Sequence, residues 1–119
     1  MNQKIVFISQ ITNLSTAPSY YNNIIGFYAQ TIDILLSSFD YSVVFISEDD
    51  IVKNDLSRIF NNRKLIIKGR LGIKEIKDND ILITDNINIQ FNDIIYYLPS
   101  IQPLALENLL NNINEKIKV

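Results

Sequence analysis

The chain has 119 residues, 47% of them hydrophobic and 20% charged, with a formal charge of −2. That length and apolar content suit one globular domain with its own core and leave no room for two. There is no Cys and no His, which removes disulfides, thiolate nucleophiles, imidazole bases and ordinary zinc sites, while the mild acidity argues against direct DNA binding.

The first predicted element is Lys4-Ile5-Val6-Phe7-Ile8, consecutively apolar as in a parallel strand covered on both faces. Its run is too short for a signal core or a membrane span, so the expected setting is the cytoplasm, without a membrane anchor. After a polar stretch, Pro18 suits a helix start, with Ser15 and Thr16 upstream as caps. Tyr21, Ile24, Ile25, Tyr28, Ile32, Leu35 and Leu36 then recur at steps of three and four, predicting a helix to about Ser38.

Tyr41 to Ser47 is a second buried strand. Val52, Leu56, Ile59 and Phe60 predict a short helix after it, capped by Ser47 or Asp49, with Glu48, Asp49 and Asp50 favoured by its dipole. Lys64 to Lys68 is a third strand, Gly69 and Gly72 bracket a turn, and Asp80 to Thr84 is a fourth strand. Asp93 to Leu98 is a fifth, stopped by Pro99. In between, Ile87, Ile89 and Phe91 alternate with polar residues, as either an extra strand or a loop lying on the core. Pro103 to Lys116 closes the chain as a helix, with Leu106, Leu109, Leu110, Ile113 and Ile117 on its apolar stripe. Strands alternating with helices predict a single three-layer α/β domain spanning 1–119, with a mainly parallel sheet of about five strands and helices on both faces.

Sheets of this kind bind ligands beyond the carboxyl ends of their strands. The loop after the first strand, from Ser9 to Ala17, has no Gly, which excludes a dinucleotide fingerprint and a P-loop. Ser9 and Gln10 stand where a phospho-receiver would carry acids, and no nucleophile elbow is present. One chemical constellation survives: Glu48, Asp49 and Asp50 after the second strand with Asp85 after the fourth, acids that could hold Mg²⁺, with Asp49, Asp50 and Asp85 serving a phosphate- or nucleotide-handling domain. The competing reading is a solvated helix start and a turn aspartate, with no cofactor and no metal.

Charge and apolarity are unevenly spread. Arg58, Arg63, Lys64, Lys68, Arg70, Lys74 and Lys77 face only Glu75 between positions 58 and 77. That segment is either a solvated face or a local patch for an acidic partner. Besides its core stripe, the first helix places Tyr20, Phe27 and Ile34 seven apart, a second stripe either packed within the domain or meeting a partner.

Val44-Phe45-Ile46-Ser47-Glu48-Asp49-Asp50, followed by Leu56-Ser57-Arg58-Ile59-Phe60, resembles the chi subunit of bacterial DNA polymerase III. So does the later run Asp80-Ile81-Leu82-Ile83, Phe91, Asp93-Ile94-Ile95-Tyr96-Tyr97-Leu98-Pro99 with its closing amphipathic helix. The resemblance implies a non-catalytic accessory subunit that pairs with the psi subunit of the clamp loader. It also implies binding of the acidic C-terminal tail of the single-stranded-DNA-binding protein. By motif, the psi face maps onto Phe60 and Leu65. The acidic tail, ending in an apolar residue and a free carboxylate, calls for a small apolar notch rimmed by cations. Candidates are Arg63, Lys64, Lys68, Arg70, Lys116 and Lys118. Where the family has a proline-histidine pair after its third strand this chain reads Ile67-Lys68, and its closing helix carries Asn111, Asn112 and Asn114 ahead of Lys116. These departures shift the tail site toward the segment from Arg58 to Lys77.

Overall fold

A computed structural model describes residues 3–9, 18–61, 64–86, 88–89, 91, 93–97 and 103–117, with the side chains of the first helix described from Gly26 on. Five strands, β1 (Lys4–Ile8), β2 (Ser42–Ile46), β3 (Leu65–Lys68), β4 (Ile81–Thr84) and β5 (Ile94–Tyr96), form one all-parallel sheet in the order β3-β2-β1-β4-β5. Three α-helices, α1 (Pro18–Ser38), α2 (Asp50–Ile59) and α3 (Pro103–Ile117), accompany it, with a 3-10 helix at Arg70–Glu75. The predicted α/β domain with a parallel five-stranded sheet is therefore present. Among the described residues no helix is long and apolar enough to cross a membrane.

The strand order explains how the layers fill. The chain steps from β1 to β2 to β3 in one direction, so right-handed crossovers put α1 and α2 on one face. The return from β3 to β4, and the step on to β5, run the other way and cross the opposite face. The core divides accordingly. Ile5, Phe7, Val43, Phe45, Ile81, Ile83 and Ile95 pack with Tyr28, Ile32 and Leu35 of α1, Val52 and Leu56 of α2, and Leu109 and Ile113 of α3. Alternate residues Val6, Ile8, Val44, Ile46 and Leu82 form a second cluster against Ile73, Ile76, Ile89 and Ile94. Among the described residues the three α-helices thus lie on one face, and the helix on the other is the 3-10 turn. Three residues per turn align Ile73 and Ile76 on one side of that turn and its cap, so a short connection still covers the strands.

Element limits follow local hydrogen bonding. α2 starts where Asp49 accepts from the Ile51 and Val52 N–H groups at 2.8 and 3.2 Å, while Ser47 accepts from the Asp49 N–H at 3.1 Å. Of the two candidate caps Asp49 is therefore the one used, and Ser47 holds the N–H of that capping residue instead. Asn88, Ile89 and Phe91 carry no strand and Ile89 packs on the second cluster, so this part of the segment is the loop on the core; Ile87 and Gln90 lie outside the described residues.

Gly72 is buried where the 3-10 helix meets β3. A Cβ there would lie 2.9 Å from Cβ and 3.0 Å from Cδ of Lys68. The Lys68 stem can swing at Cδ but not at its own Cβ, so Gly72→Ala is expected to lower unfolding free energy by about 1 kcal/mol, a mild case of overpacking. Urea denaturation checks it; an unchanged midpoint would show that the turn moves freely off β3.

Candidate functional site

The sheet register brings three strand ends to one level. Ile8 pairs with Ile46 on one side and with Thr84 on the other. Ser9, Ser47 and Asp85 therefore stand together just past the carboxyl ends, at the point where the strand order reverses, which is the usual ligand position in open α/β sheets. Two backbone bonds carry the ladder past the strands: Ser9 N–H to the Ile46 carbonyl at 2.9 Å and Ser47 N–H to the Lys68 carbonyl at 3.0 Å.

A cleft of about 220 Å³ opens here on the thinly covered face. It is lined by Ile8, Ile46, Ile73 and Ile89 together with Ser9, Ser47 and Asn86, and the more exposed Glu48 and Arg70 stand at its rim. Because Ile46 pairs with Lys68, Glu48 and Arg70 each stand two residues beyond that pair, and their side chains meet with Arg70 Nη1 3.3 Å from Glu48 Oε1. Arg70 is 77% and Glu48 42% exposed, so the pair is loosely held; ion pairs this open contribute at most about 1 kcal/mol.

Beneath the cleft, toward α1, lies a buried polar chain. Ser9 Oγ donates to the Tyr28 hydroxyl at 3.0 Å, and Tyr28 donates to Asp85 Oδ2 at 2.5 Å. Thr84 Oγ1 donates to the Ile8 carbonyl at 2.7 Å and accepts from the Asn86 N–H at 3.1 Å. These bonds tie the end of β1 to the end of β4 and both to α1, so the cleft sits on a braced platform. Around Tyr28 the aromatic rings of Phe7 and Phe45 lie edge-on at 5.6 and 5.3 Å.

The acidic constellation, one of the two readings of these residues, does not form. Glu48 pairs with Arg70, Asp49 is buried as the α2 cap, Asp50 is exposed and pairs with Lys53 at 3.1 Å, and Asp85 accepts from Tyr28. Among the described residues no group of three His, Cys, Asp or Glu side chains could hold a metal ion. The correction has a local cause: the same acidic helix start that suggested a metal provides the cap, which turns Asp49 back onto its own helix.

The cations expected to receive an acidic tail also do not form one surface. Lys64 pairs with Asp40, Lys68 with Glu75 at 2.7 Å and Arg70 with Glu48, all along β3, whereas Lys116 pairs with Asp93 beside β5. β3 and β5 are opposite edges of the sheet, roughly 19 Å apart at ordinary strand spacing. Arg63 and Lys118 lie outside the described residues. Carboxylates from elsewhere in the chain, Asp40 and Glu48 among them, thus fold back onto the segment that looked uniformly basic. Lys64 holds the Asp40 carboxyl below its ordinary value, first by hydrogen bonding and then by charge, and Lys68 does the same to Glu75.

Phe60 and Leu65 fall together at the β3 edge. Phe60 caps α2, its N–H donating to the Leu56 carbonyl at 2.9 Å, and Leu65 opens β3 opposite Val43. Both are half-buried against the main core. Their neighbours Ile59 and Ile66 are 55% and 37% exposed. In the second stripe of α1, Phe27 and Ile34 are half-buried and belong to neither core cluster; the Tyr20 side chain lies outside the described residues. Sequence reasoning missed the Glu48–Arg70 pair and the link from Ser9 through Tyr28 to Asp85. The first was findable once β2 and β3 are taken as neighbours in register, since both residues follow strand ends at equal distance. Compared with protein-family models, with curated proteins and with solved structures, the chain matches none.

Proposed function

We propose that this chain is a non-catalytic, chi-like accessory subunit of the bacterial replicative DNA polymerase. In this reading it links the psi subunit of the clamp loader to the single-stranded-DNA-binding protein in the cytoplasm during DNA replication, without itself touching DNA or membrane. The observation that carries the reading is the β3 edge. Phe60 and Leu65, the two residues that the resemblance points to, lie there half-buried near exposed Ile59, and β3 is an edge strand with no strand paired to its outer side among the described residues. Buried aromatic and aliphatic anchors surrounded by less critical contacts are the usual energetic centre of an interface.

Acidic-tail binding is assigned to the β3 side alone, through Lys64, Lys68 and Arg70, with Lys116 left out. Each of these cations already holds a carboxylate in an exposed pair. Exchanging such a weak internal partner for a tail carboxylate costs little, and binding should weaken steeply with salt.

The test is a titration of the full chain with purified psi subunit. A complex at micromolar concentration is expected, with Ile59→Lys weakening it by at least about tenfold and shifting the melting temperature little, because Ile59 is 55% exposed and a cation suits the C-terminal end of α2. Phe60→Ala should weaken it as well, but it also removes core packing, so Ile59→Lys is the cleaner variant. No complex at these concentrations, or equal affinity for Ile59→Lys, would overturn the assignment.

A further inference from the structure

We infer that the cleft at the carboxyl ends of β1, β2 and β4 is a binding site for a free apolar α-amino acid. The cleft holds about 220 Å³, below the roughly 300–1,000 Å³ that takes a drug-sized ligand, which fits a molecule of single-amino-acid size. It is lined by four isoleucines, Ile8, Ile46, Ile73 and Ile89, which select an apolar side chain and penalise a polar one left without hydrogen bonds. At the rim stand one carboxylate and one guanidinium, Glu48 and Arg70, 3.3 Å apart.

A zwitterion is the ligand whose charges match that rim. Its ammonium replaces Arg70 as the partner of Glu48, and its carboxylate replaces Glu48 as the partner of Arg70, whose planar fork suits a carboxylate. The internal pair then opens into two charge-assisted contacts with no net change in charge at the rim. Both residues are substantially exposed, so opening the pair costs little. Ligands carrying only one of the two charges would leave Glu48 or Arg70 without the partner it had.

This inference shares Arg70 with the proposed tail site but does not rest on it. An acidic tail offers the cleft a carboxylate and an apolar side chain, while its α-nitrogen is an uncharged amide. The two readings therefore separate at Glu48.

The experiment follows the Ile73 and Ile89 methyl resonances of the full chain by NMR while L-leucine, N-acetyl-L-leucine or L-leucine methyl ester is added. Saturable shifts with L-leucine are expected at or below about 1 mM, with each blocked analogue weaker by at least about tenfold, the loss of one hydrogen-bonded charge. Arg70→Gln and Glu48→Gln should each weaken L-leucine similarly, with the urea midpoint unchanged. Psi binding is measured on the same samples and reports on the accessory-subunit reading separately. Absence of saturable shifts with L-leucine would overturn the inference, as would N-acetyl-L-leucine binding as tightly as L-leucine and insensitively to Glu48→Gln.

Discussion

Phe7→Ala is expected to lower the unfolding free energy by about 3–5 kcal/mol, the usual cost of removing a buried aromatic. A domain of this length has roughly 6–18 kcal/mol to lose, so the substitution removes a large share of the total and leaves a chain at the lower end of that range marginal. Phe7 is fully buried on the central strand β1. Its ring meets Tyr28 at 5.6 Å and Phe45 at 5.6 Å and, more distantly, Tyr97 at 6.4 Å. Those partners come from α1, β2 and the end of β5, so no single element can move in to fill the space. Edge-on ring pairs add to the area term, which places the loss toward the upper part of the range. Chemical denaturation of Phe7→Ala beside Phe7→Leu checks the argument. The leucine variant should retain a good part of the lost stability, and a loss below about 1 kcal/mol for alanine would mean that the cluster collapses around the gap.

What was legible in the sequence follows from how local each signal is. β1 has the predicted limits and α1 runs from Pro18 to Ser38, because a continuous apolar run and a three-four stripe depend only on neighbouring residues. The cap at Asp49 was legible for the same reason. Two features were not. That the three described α-helices share one face depends on strand order, which reverses between β1 and β4 and sends the short connections across the other face. Charge pairing was hidden as well, since Lys64 finds Asp40 and Arg70 finds Glu48 only after β2 and β3 are laid side by side. A window of sequence counts charges along the chain, whereas the fold sums them across strands.

The proposed psi face and the proposed amino-acid cleft lie at opposite ends of β3. Phe60 and Leu65 are at its amino end, and Arg70 with the cleft is past its carboxyl end, roughly 10–15 Å away at 3.3 Å per residue. Simultaneous occupation is therefore sterically feasible. The connection between them is β3 itself, held to β2 through the pairs from Leu65 with Val43 to Lys68 with Ile46.

Tyr28→Phe is expected to cost about 2 kcal/mol, although it removes a single oxygen. The side chain is 1% exposed, and its hydroxyl both receives the Ser9 proton and donates to Asp85. Taking it away retains the ring contacts with Phe7 and Phe45, so the aromatic core is spared. What is lost is a hydrogen bond to a carboxylate, in the range of about 1.5–3 kcal/mol, with Ser9 and Asp85 keeping their other interactions and limiting the damage. The effect should also be localised. Among the described residues this hydroxyl bonds α1 to the ends of β1 and β4, whereas the ladder between β1 and β4 does not depend on it. Hydrogen exchange in Tyr28→Phe should therefore accelerate most at Ser9, Asp85 and Asn86, and little at Val6 or Leu82. Urea denaturation gives the global cost. A variant with wild-type stability and unchanged exchange at Asp85 would show that the platform under the cleft is braced by the strands alone.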